Sequence, residues 1–450
     1  MTRPYATRQC ALRQYATRHD ATRQHATRQR GVGTLAVSSL LLFVVSIIAF
    51  YLNRTTLFEQ KTSANQMQAT QAMEAAEAGI EWATGMLNLP YDISTTCAAL
   101  STTNASFRKR YVVTQWNAAT NPTTNVVAAT NTFPGCRRLL ATGLTCSCPN
   151  VPVSGTAVAS LGSTAAPSFT VAFADVAGDA EAVRITAWGC TAQAAACTQG
   201  TAGGADANAS VSVIVKLRPI LRAAPASPLT CGTSCTVGGS YNIVNGDIPT
   251  NGILINAGSN IATAPGTSMT TLPGAPAANA LVGNDASLSA LSSADPTCSS
   301  SQMFNAYFGS TLEQFRDQES TKVLSCTSAS DCRSKLQTAY DEGARSFYFE
   351  SDVQLSGNGT LGSRTDPVTL VTPNALTVNG TWDIWGVIFS NSADWNDLGT
   401  GSANIHGAQV TCAAYSNNGN GTITYDAETL KNLRRQTGLF VRVPGSWRDF

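Results

Sequence analysis

Residues 31–52 read GVGTLAVSSLLLFVVSIIAFYL, and no charged side chain occurs between Arg30 and Arg54. A helix of this length crosses the hydrocarbon core of a bilayer, which is about 30 Å thick. The residues before it include seven arginines and one aspartate. Because positively charged flanks stay on the cytoplasmic side, the sequence predicts one membrane-spanning helix with the rest of the chain beyond the membrane.

The basic leader, residues 1–31, contains five tandem pentapeptides, YATRQ, CALRQ, YATRH, DATRQ and HATRQ. A period of five matches neither a helix face nor a strand face, so the repeat predicts no packed element. Contact with anionic lipid is an open alternative, and we assign the leader no function.

Apolar residues continue at helical spacing beyond the uncharged run. They step by four and three through Ala69, Met73, Ala76, Ile80, Ala83 and Leu87. Pro90 ends the pattern, since proline cannot continue a helix. We therefore predict one helical domain, residues 32–90, whose second half packs its apolar stripe on a globular domain.

The far end of the apolar run, FYLNRTTLFEQK, has no small-residue site of the kind cut in secretory signals. The stretch QRGVGTLAVSSLLLFVVSIIAFYLNRTTLFEQ, followed by QATQAMEAAEAGIEWA, resembles the N-terminal region of PilX-type minor pilins. The resemblance implies that prepilin peptidase cuts after Gly31 and methylates Val32. An uncleaved anchor and a cut after Gly33 remain alternatives.

The resemblance also implies a position and partners. Major pilins carry glutamate at the fifth mature position, which is Ala36 here, and PilX-type pilins often lack it. This implies a type IV pilus minor pilin at or near the tip, which promotes assembly from the bacterial inner membrane. Its partners would be other minor pilins, a tip adhesin and the inner-membrane assembly platform. A type II secretion pseudopilin, and an adhesin or carbohydrate-binding module on a pilin stalk, are the alternatives.

The remaining sequence predicts two β-rich domains and an α+β fold class. Residues 91–222 would form a β-rich pilin domain with antiparallel strands SFTVAFADV, EAVRITAWGC and NASVSVIVKLRP. Residues 223–450 contain short apolar segments between Asn-Gly turns. These segments indicate the rungs of a β-solenoid-like domain, with a β-sandwich as the alternative.

Two helical features interrupt the short apolar segments of residues 223–450. A helical insert is expected at about residues 299–346, and DAETLKNLRR predicts a short helix with Asp426 as its N-cap. The last residues, TGLFVRVPGSWRDF, resemble the C-termini of large PilX-like proteins.

Thirteen cysteines are present, and Cys10 lies in the leader, which leaves twelve. In a Gly- and Ser-rich chain beyond a membrane they indicate a disulfide framework. Short loops favour pairs between Cys190 and Cys197, Cys231 and Cys235, and Cys326 and Cys332. A zinc site is the less favoured alternative. Its close pairs would be Cys146 with Cys148 and Cys231 with Cys235, and neither has the two-residue gap of a zinc knuckle.

The sequence gives no support for catalysis, a cofactor, a metal site or nucleic-acid binding. His406 is the only histidine outside the leader, and no nucleophile or phosphate-loop motif is present. Asp394, Asn396 and Asp397 miss the calcium-loop spacing. We interpret Trp382, Trp385 and Trp395 as aromatics that pack the rungs rather than as a sugar-binding platform.

Overall fold

The computed structural model describes residues 30–100, 106–112, 132–139, 143–150, 157–158, 166–191, 197, 207–293, 302–395 and 402–449. The chain divides into two compact units, the first ending at Ala64 and the second beginning at Asn65. Helix α1, Arg30–Asn88, belongs to the first unit in its first part and to the second in its last part. The pentapeptide repeat lies outside the described residues. The domain boundaries expected at residues 90 and 222 stay predictions.

The described strands up to residue 219 are β1 Asp92–Ile93, β2 Ala99–Leu100, β3 Thr132–Phe133, β4 Gly135–Leu139, β5 Gly143–Ser147, β6 Ala157–Val158, β7 Ser168–Val176, β8 Asp179–Cys190 and β9 Asn208–Pro219. Those that follow are β10 Leu229–Cys231, β11 Cys235–Val237, β12 Tyr241–Val244, β13 Ile255–Ala257, β14 Ile261–Thr263, β15 Ser268–Thr270, β16 Leu281–Val282, β17 Thr321–Leu324, β18 Ser346–Phe349, β19 Val353–Ser356, β20 Gly359–Leu361, β21 Val368–Asn379, β22 Trp382–Trp395, β23 Ser402–Thr411, β24 Tyr415–Asn417, β25 Asn420–Thr424 and β26 Gly438–Arg442. The helices after α1 are α2 Phe107–Tyr111, α3 Ala286–Ser293, α4 Gln302–Phe308, α5 Leu312–Arg316, α6 Ala329–Asp341 and α7 Ala427–Gln436, with 3-10 turns at Ile248–Thr250 and Ala277–Ala280.

The first β-rich region forms an antiparallel sheet with the strand order β26-β9-β8-β7-β4-β5. Strands β7 and β9 have the predicted bounds, and β8 begins two residues before the predicted start at Glu181. Along β9, Val211, Val213 and Val215 are buried and alternate with more exposed residues. This alternation shows that one face of the sheet is covered.

Strands β10 to β25 form a second, parallel sheet that winds into three columns, which we call the parallel stack. Column A runs β17-β18-β21-β22-β23-β10-β13-β16. Column B runs β19-β21-β22-β24-β11-β14. Column C runs β20-β22-β23-β25-β12-β15. Because these ladders are all parallel, the solenoid interpretation is confirmed and the β-sandwich alternative is wrong.

The chain enters the parallel stack in its middle. We call the strands of one turn of the chain a level. The first level, β10 to β12, pairs on one side with the next level, β13 to β15. On the other side it pairs with the last level that the chain forms, β23 to β25, as in the register pair of Leu229 with Gln409. Between the level β13 to β15 and the level β23 to β25, the chain passes through α3, α4 and α5 and re-enters the stack at its β17 end.

Large side chains fill the interior of the stack, and glycines allow its tight corners. Trp382, Ile384 and Phe347 are fully buried inside it. Gly386 and Gly407 have φ angles of +146° and +142°, and a Cβ at Gly407 would overlap the carbonyl oxygen of Gly386 one level away. Both the positive φ and the close approach require glycine at this corner.

Helices cover the outer face of column A. Phe304 and Phe308 of α4 pack on Phe389 of β22, and Phe315 of α5 packs on Phe304 and Phe308. The insert expected at about residues 299–346 contains α4, α5 and α6, together with strand β17, which the sequence did not predict. Helix α7 begins after Asp426, whose side chain accepts the N–H groups of Glu428 and Thr429, so the predicted N-cap is confirmed.

The last strand leaves the stack and returns to the antiparallel sheet. β26 pairs antiparallel with β9, from Gly438 opposite Pro219 to Arg442 opposite Val215. A further bridge joins Arg448 to Ser212. The observed architecture is therefore α+β, as predicted, with one long apolar helix, an antiparallel sheet and a parallel stack.

Candidate functional site

The apolar part of α1 in the first unit has its large side chains in solvent. Leu35, Leu40, Phe43 and Phe50 are each at least 66% exposed. Among the described residues, α1 is the one helix long and apolar enough to cross a membrane, judged by length and composition. An apolar surface of this extent is unfavourable in water, so the segment requires a bilayer or a protein surface to cover it.

Polar side chains in this segment form their hydrogen bonds within the helix. Ser38 and Ser39 donate to the carbonyls of Leu35 and Ala36, each at 3.0 Å, and Ser46 donates to Leu42 at 2.7 Å. The hydroxyl groups therefore need no partner from the surroundings, which lowers the cost of placing the helix in an apolar environment.

The residues expected at the processing site lie at the start of α1. Gly31 and Val32 are within its first turn, and their side chains are outside the described ones. Ala36 lies one turn further along and is exposed. Cleavage after Gly31 and methylation of Val32 stay predictions.

The last part of α1, in the second unit, packs on the antiparallel sheet. Ala76, Ile80, Ala83 and Leu87 of the predicted stripe are buried there, Met73 is half-buried and Ala69 is exposed. Helix and sheet approach most closely at Gly189, where an added Cβ would overlap the carbonyl oxygen of Ala72. The absence of a side chain at Gly189 therefore lets α1 lie directly on β8.

The end of α1 is joined to β26 by a buried amide. The Asn88 side chain donates to the carbonyl of Phe440 at 3.1 Å and accepts the N–H of Phe440 at 2.8 Å. This pair connects residues 352 positions apart in the chain. The C-terminal strand is thereby held to the helix as well as to β9.

Arg108 of α2 reinforces this connection. Its guanidinium donates to three carbonyls, those of Leu87, Gln436 and Gly438, at 3.1, 2.7 and 2.6 Å, and lies over the Phe440 ring. Burial lowers the pKa of Arg108 to about 10, so the side chain stays charged at neutral pH. Carbonyl dipoles and an aromatic face thus stabilise a partly buried cation.

Arg110 has a similar role at the other side of α2. It donates to the carbonyls of Ile93, Ser94 and Cys148. The disulfide between Cys97 and Cys148 lies in the same segment. The run FRKRY, which reads as a polar stretch, therefore forms a buried junction.

Between these arginines, Lys109 and Arg345 share one carboxylate. Asp366 accepts from Lys109 at 2.6 Å and from Arg345 at 2.8 and 3.0 Å, at the edge of a cavity of about 270 Å³. Burial alone would raise the pKa of Asp366, but the hydrogen bond from Arg345 and the charge of Lys109 outweigh it and hold this pKa below its ordinary value. This ion pair joins α2 to the parallel stack.

Comparison with known proteins identifies the helix. Residues 30–81 match the family model described as PilX N-terminal. Residues 30–81 therefore have the sequence of a PilX-type N-terminal region. Curated protein sequences give no match. Among solved structures, the chain is similar to the competence-associated pilin ComZ from Thermus thermophilus, with 11% identity and a TM-score of 0.22 over 85% of this chain and 98% of that chain.

The described cysteines form disulfides. The structure brings together Cys190 with Cys197, Cys231 with Cys235, and Cys326 with Cys332, the three short pairs expected from the sequence. It also pairs Cys136 with Cys146 and Cys97 with Cys148. Cys412 is disulfide-bonded, while Cys10 and Cys298 lie outside the described residues. Cys146, Cys148, Cys231 and Cys235, the residues of the zinc alternative, therefore have their sulfur atoms in disulfide bonds.

The aromatic residues divide between the inside and the outside of the stack. Trp382 packs inside, as predicted, whereas Trp385 lies half-buried on the outside and stacks on His406 with ring centroids 3.9 Å apart. The two rings occupy register partners on β22 and β23, and the His406 ring bonds to Asp383 at 3.0 Å. The ring stacking and this hydrogen bond account for His406 as a structural residue. The Trp395 side chain and residues 396–397 lie outside the described residues.

Sequence reasoning missed the junction at the end of α1. Asn88, Arg108 and Arg110 are polar residues in a region expected to be a helix end and a loop, and their partners are main-chain atoms distant in sequence. The one available signal was the placement of three cations between Phe107 and Tyr111, both of which are buried. Such a pattern indicates cations in contact with a core.

Proposed function

We propose that the chain is a minor pilin of a type IV pilus that is incorporated at or near the tip and promotes assembly. The observation that carries the proposal is the uncovered apolar part of α1 within the matched PilX N-terminal region. In the membrane, lipid would cover this surface. In a pilus, the helices of neighbouring pilins would cover it.

The residue at the fifth mature position supports a place at the tip. In pilins that repeat along a filament, a carboxylate at this position receives the terminal amine of a neighbour, and an unpaired charge in an apolar core is costly. Ala36 offers no carboxylate. A subunit of this kind fits best where no further subunit must dock on it, and a second unit of residues 65–450 is large for a repeating lattice.

The position can be tested with a labelled chain in cells that assemble pili. We expect deletion to reduce surface pili sharply and label to occur at filament ends. Ala36→Glu would allow entry into the shaft, with label along the filament. Uniform label along filaments of the native protein, or normal piliation after deletion, would contradict the proposal.

Processing requires a separate experiment. We propose that prepilin peptidase releases the leader, so that the membrane-inserted mature chain begins at methylated Val32, with its C-terminus in the periplasm. Mass spectrometry of the N-terminal peptide should find this terminus, and Gly31→Val should retain the leader. Gly33→Ala is the matched control, because a changed terminus in that variant would assign the cut to Gly33 instead.

A further inference from the structure

The cavity between α2 and the parallel stack is lined by a buried hydroxyl group that lacks a partner. Ser346 of β18 lines this cavity of about 270 Å³, and the residue is only 2% exposed. Phe347 points into the stack, so Ser346 faces outward on the same side of the strand as Tyr348. Among the described residues, the Ser346 hydroxyl has no hydrogen-bond partner. A group buried in this way needs a partner within the cavity.

The Ser346 hydroxyl belongs to a cluster of such groups. The oxygen of Ser320, which also lines the cavity, is buried and has no partner among the described residues. The same is true of Thr321 and Thr369, which are the register neighbours of Ser346 on β17 and β21. Native proteins leave few buried polar groups unpaired, and a cluster of them indicates a bound species. The cavity is far larger than the roughly 10–15 Å³ that one water needs, so it has room for a small molecule.

The charges at the cavity favour an anion. Arg108, Lys109 and Arg345 line it, whereas Asp366 is the one carboxylate among the lining residues. Asp92 nearby adds a second carboxylate, which still leaves an excess of positive charge. The three hydrogen bonds of Arg108 reach main-chain carbonyls, so its charge is solvated but not cancelled. A concave site with an excess of cations attracts negatively charged ligands.

Lys109 can bind a ligand without leaving its present partner. An ammonium group has three donors, and Asp366 at 2.6 Å accepts from one of them. The Lys109 side chain is 33% exposed, so the other donors are accessible. Leu89 and Pro90 add apolar surface to the same cavity. Donors from a cation and a hydroxyl, next to apolar surface, match a carboxylate that is attached to a carbon skeleton.

We propose that this cavity binds a small organic carboxylate. The carboxylate would accept hydrogen bonds from the Lys109 ammonium and the Ser346 hydroxyl, while the carbon skeleton would lie on Leu89 and Pro90. Because the cavity is formed by the end of α1, by α2 and by β18, the bound molecule would connect the antiparallel sheet region to the parallel stack. Binding here does not depend on where the protein sits in a pilus.

The test uses the full chain purified in detergent and two probes, succinate and benzoate. Succinamide and benzamide are the matched neutral compounds, because they keep the shape of each probe and remove its charge. We expect at least one carboxylate to bind saturably in titration calorimetry, at millimolar concentrations or below, and to raise the unfolding midpoint of the chain. Absence of saturable binding by both carboxylates would overturn the proposal and leave ordered water as the occupant. Equal binding of the amides would overturn it as well.

Three variants test whether binding occurs in the cavity. Ser346→Ala removes a hydroxyl that has no partner within the described fold, so its unfolding midpoint should not fall. Its affinity for the carboxylate should weaken at least about tenfold, as the loss of a hydrogen bond to a charged group requires. Lys109→Gln should weaken binding by at least about tenfold too, because it removes the cation that faces the carboxylate.

Thr369→Val is the matched control. It removes the same kind of unpaired hydroxyl from the register partner of Ser346, at a residue outside the cavity lining, so binding should not change. Should Lys109→Gln lose its fold, Ser346→Ala still decides the outcome. Native affinity in Ser346→Ala, or equal weakening in Thr369→Val, would overturn the proposal.

Discussion

The antiparallel sheet and the parallel stack differ in how their strands find partners. In the sheet, β7, β8 and β9 pair in chain order, and connections of 2 and 17 residues separate them. In the stack, the first level pairs with the last, so that Leu229 lies opposite Gln409. Yet both regions are completed by the C-terminal part of the chain, through β26 in the sheet and β23 to β25 in the stack. Local pairing therefore starts each region, and distant pairing closes it.

The largest effect should come from the interior of the stack. Trp382→Ala removes a fully buried ring, and we expect it to lower the free energy of unfolding by about 3–5 kcal/mol. Trp447→Ala is the control, since that ring is 47% exposed in the sheet region. Denaturant unfolding followed by circular dichroism measures both. Similar small losses of unfolding free energy in the two variants would contradict the prediction that Trp382 stabilises the stack more than Trp447 stabilises the sheet region.

The contact of α1 with the sheet should come next. Gly189→Ala introduces a Cβ that overlaps the carbonyl of Ala72, and we expect a loss of about 1–3 kcal/mol as the helix shifts from β8. Gly85→Ala is the matched control in α1, because its added Cβ meets no atom within 4 Å and helix propensity favours alanine there by up to about 1 kcal/mol. Equal stability of the two variants would contradict the close approach at Gly189.

The buried amide at the helix end tests how β26 closes the sheet. Asn88→Ala leaves the N–H and carbonyl of Phe440 without their side-chain partner, which should cost about 1–3 kcal/mol. Hydrogen exchange at Phe440 should accelerate, while exchange in β12 of the stack should not change. Asn88→Asp keeps an acceptor for the Phe440 N–H and should recover part of the protection. Unchanged exchange at Phe440 in Asn88→Ala would show that β9 alone holds the strand.

The smallest effect should come from the ion pair that links α2 to the stack. The pKa of Asp366 is below its ordinary value, so its contribution is present above the unfolded-state pKa of about 3.8 and is lost as the pH falls through the folded-state pKa. Asp366→Asn should therefore cost about 1 kcal/mol near pH 7 and progressively less below about pH 4. Arg316 and Asp317 form an exposed pair, and Asp317→Asn serves as the control with little effect at either pH. A pH-independent loss in Asp366→Asn would contradict a charged role for this carboxylate.

Sequence patterns predicted the elements of the chain better than their partners. The period of apolar residues identified α1, β7 and β9, and the aspartate at 426 identified the start of α7. The stripe through Ile80 correctly indicated the face of α1 that is buried. These features depend on residues within one or two turns of each other, which is the range that periodicity and capping report.

Pairing over long distances left no comparable signal. An alternating strand specifies which side chains face the core but not which strand lies beside it, so the return of β26 to β9 could not be read from GLFVR. The residues Cys146 and Cys148 show the same limit at short range. They are two positions apart but bond to Cys136 and Cys97, respectively, because Cys146 is the register partner of Cys136 while Cys148 lies beyond the end of β5.

The completion of both regions by C-terminal residues has a consequence for synthesis. A ribosome makes the two free edges, on β9 and on the first level of the stack, long before it makes their partners in β26 and in β23 to β25. During this interval the nascent chain exposes unpaired strands in two places, and such edges are prone to pair with other chains. An unfinished chain therefore keeps these edges open to other chains until its last fifty residues, which contain β23 to β26, have been made.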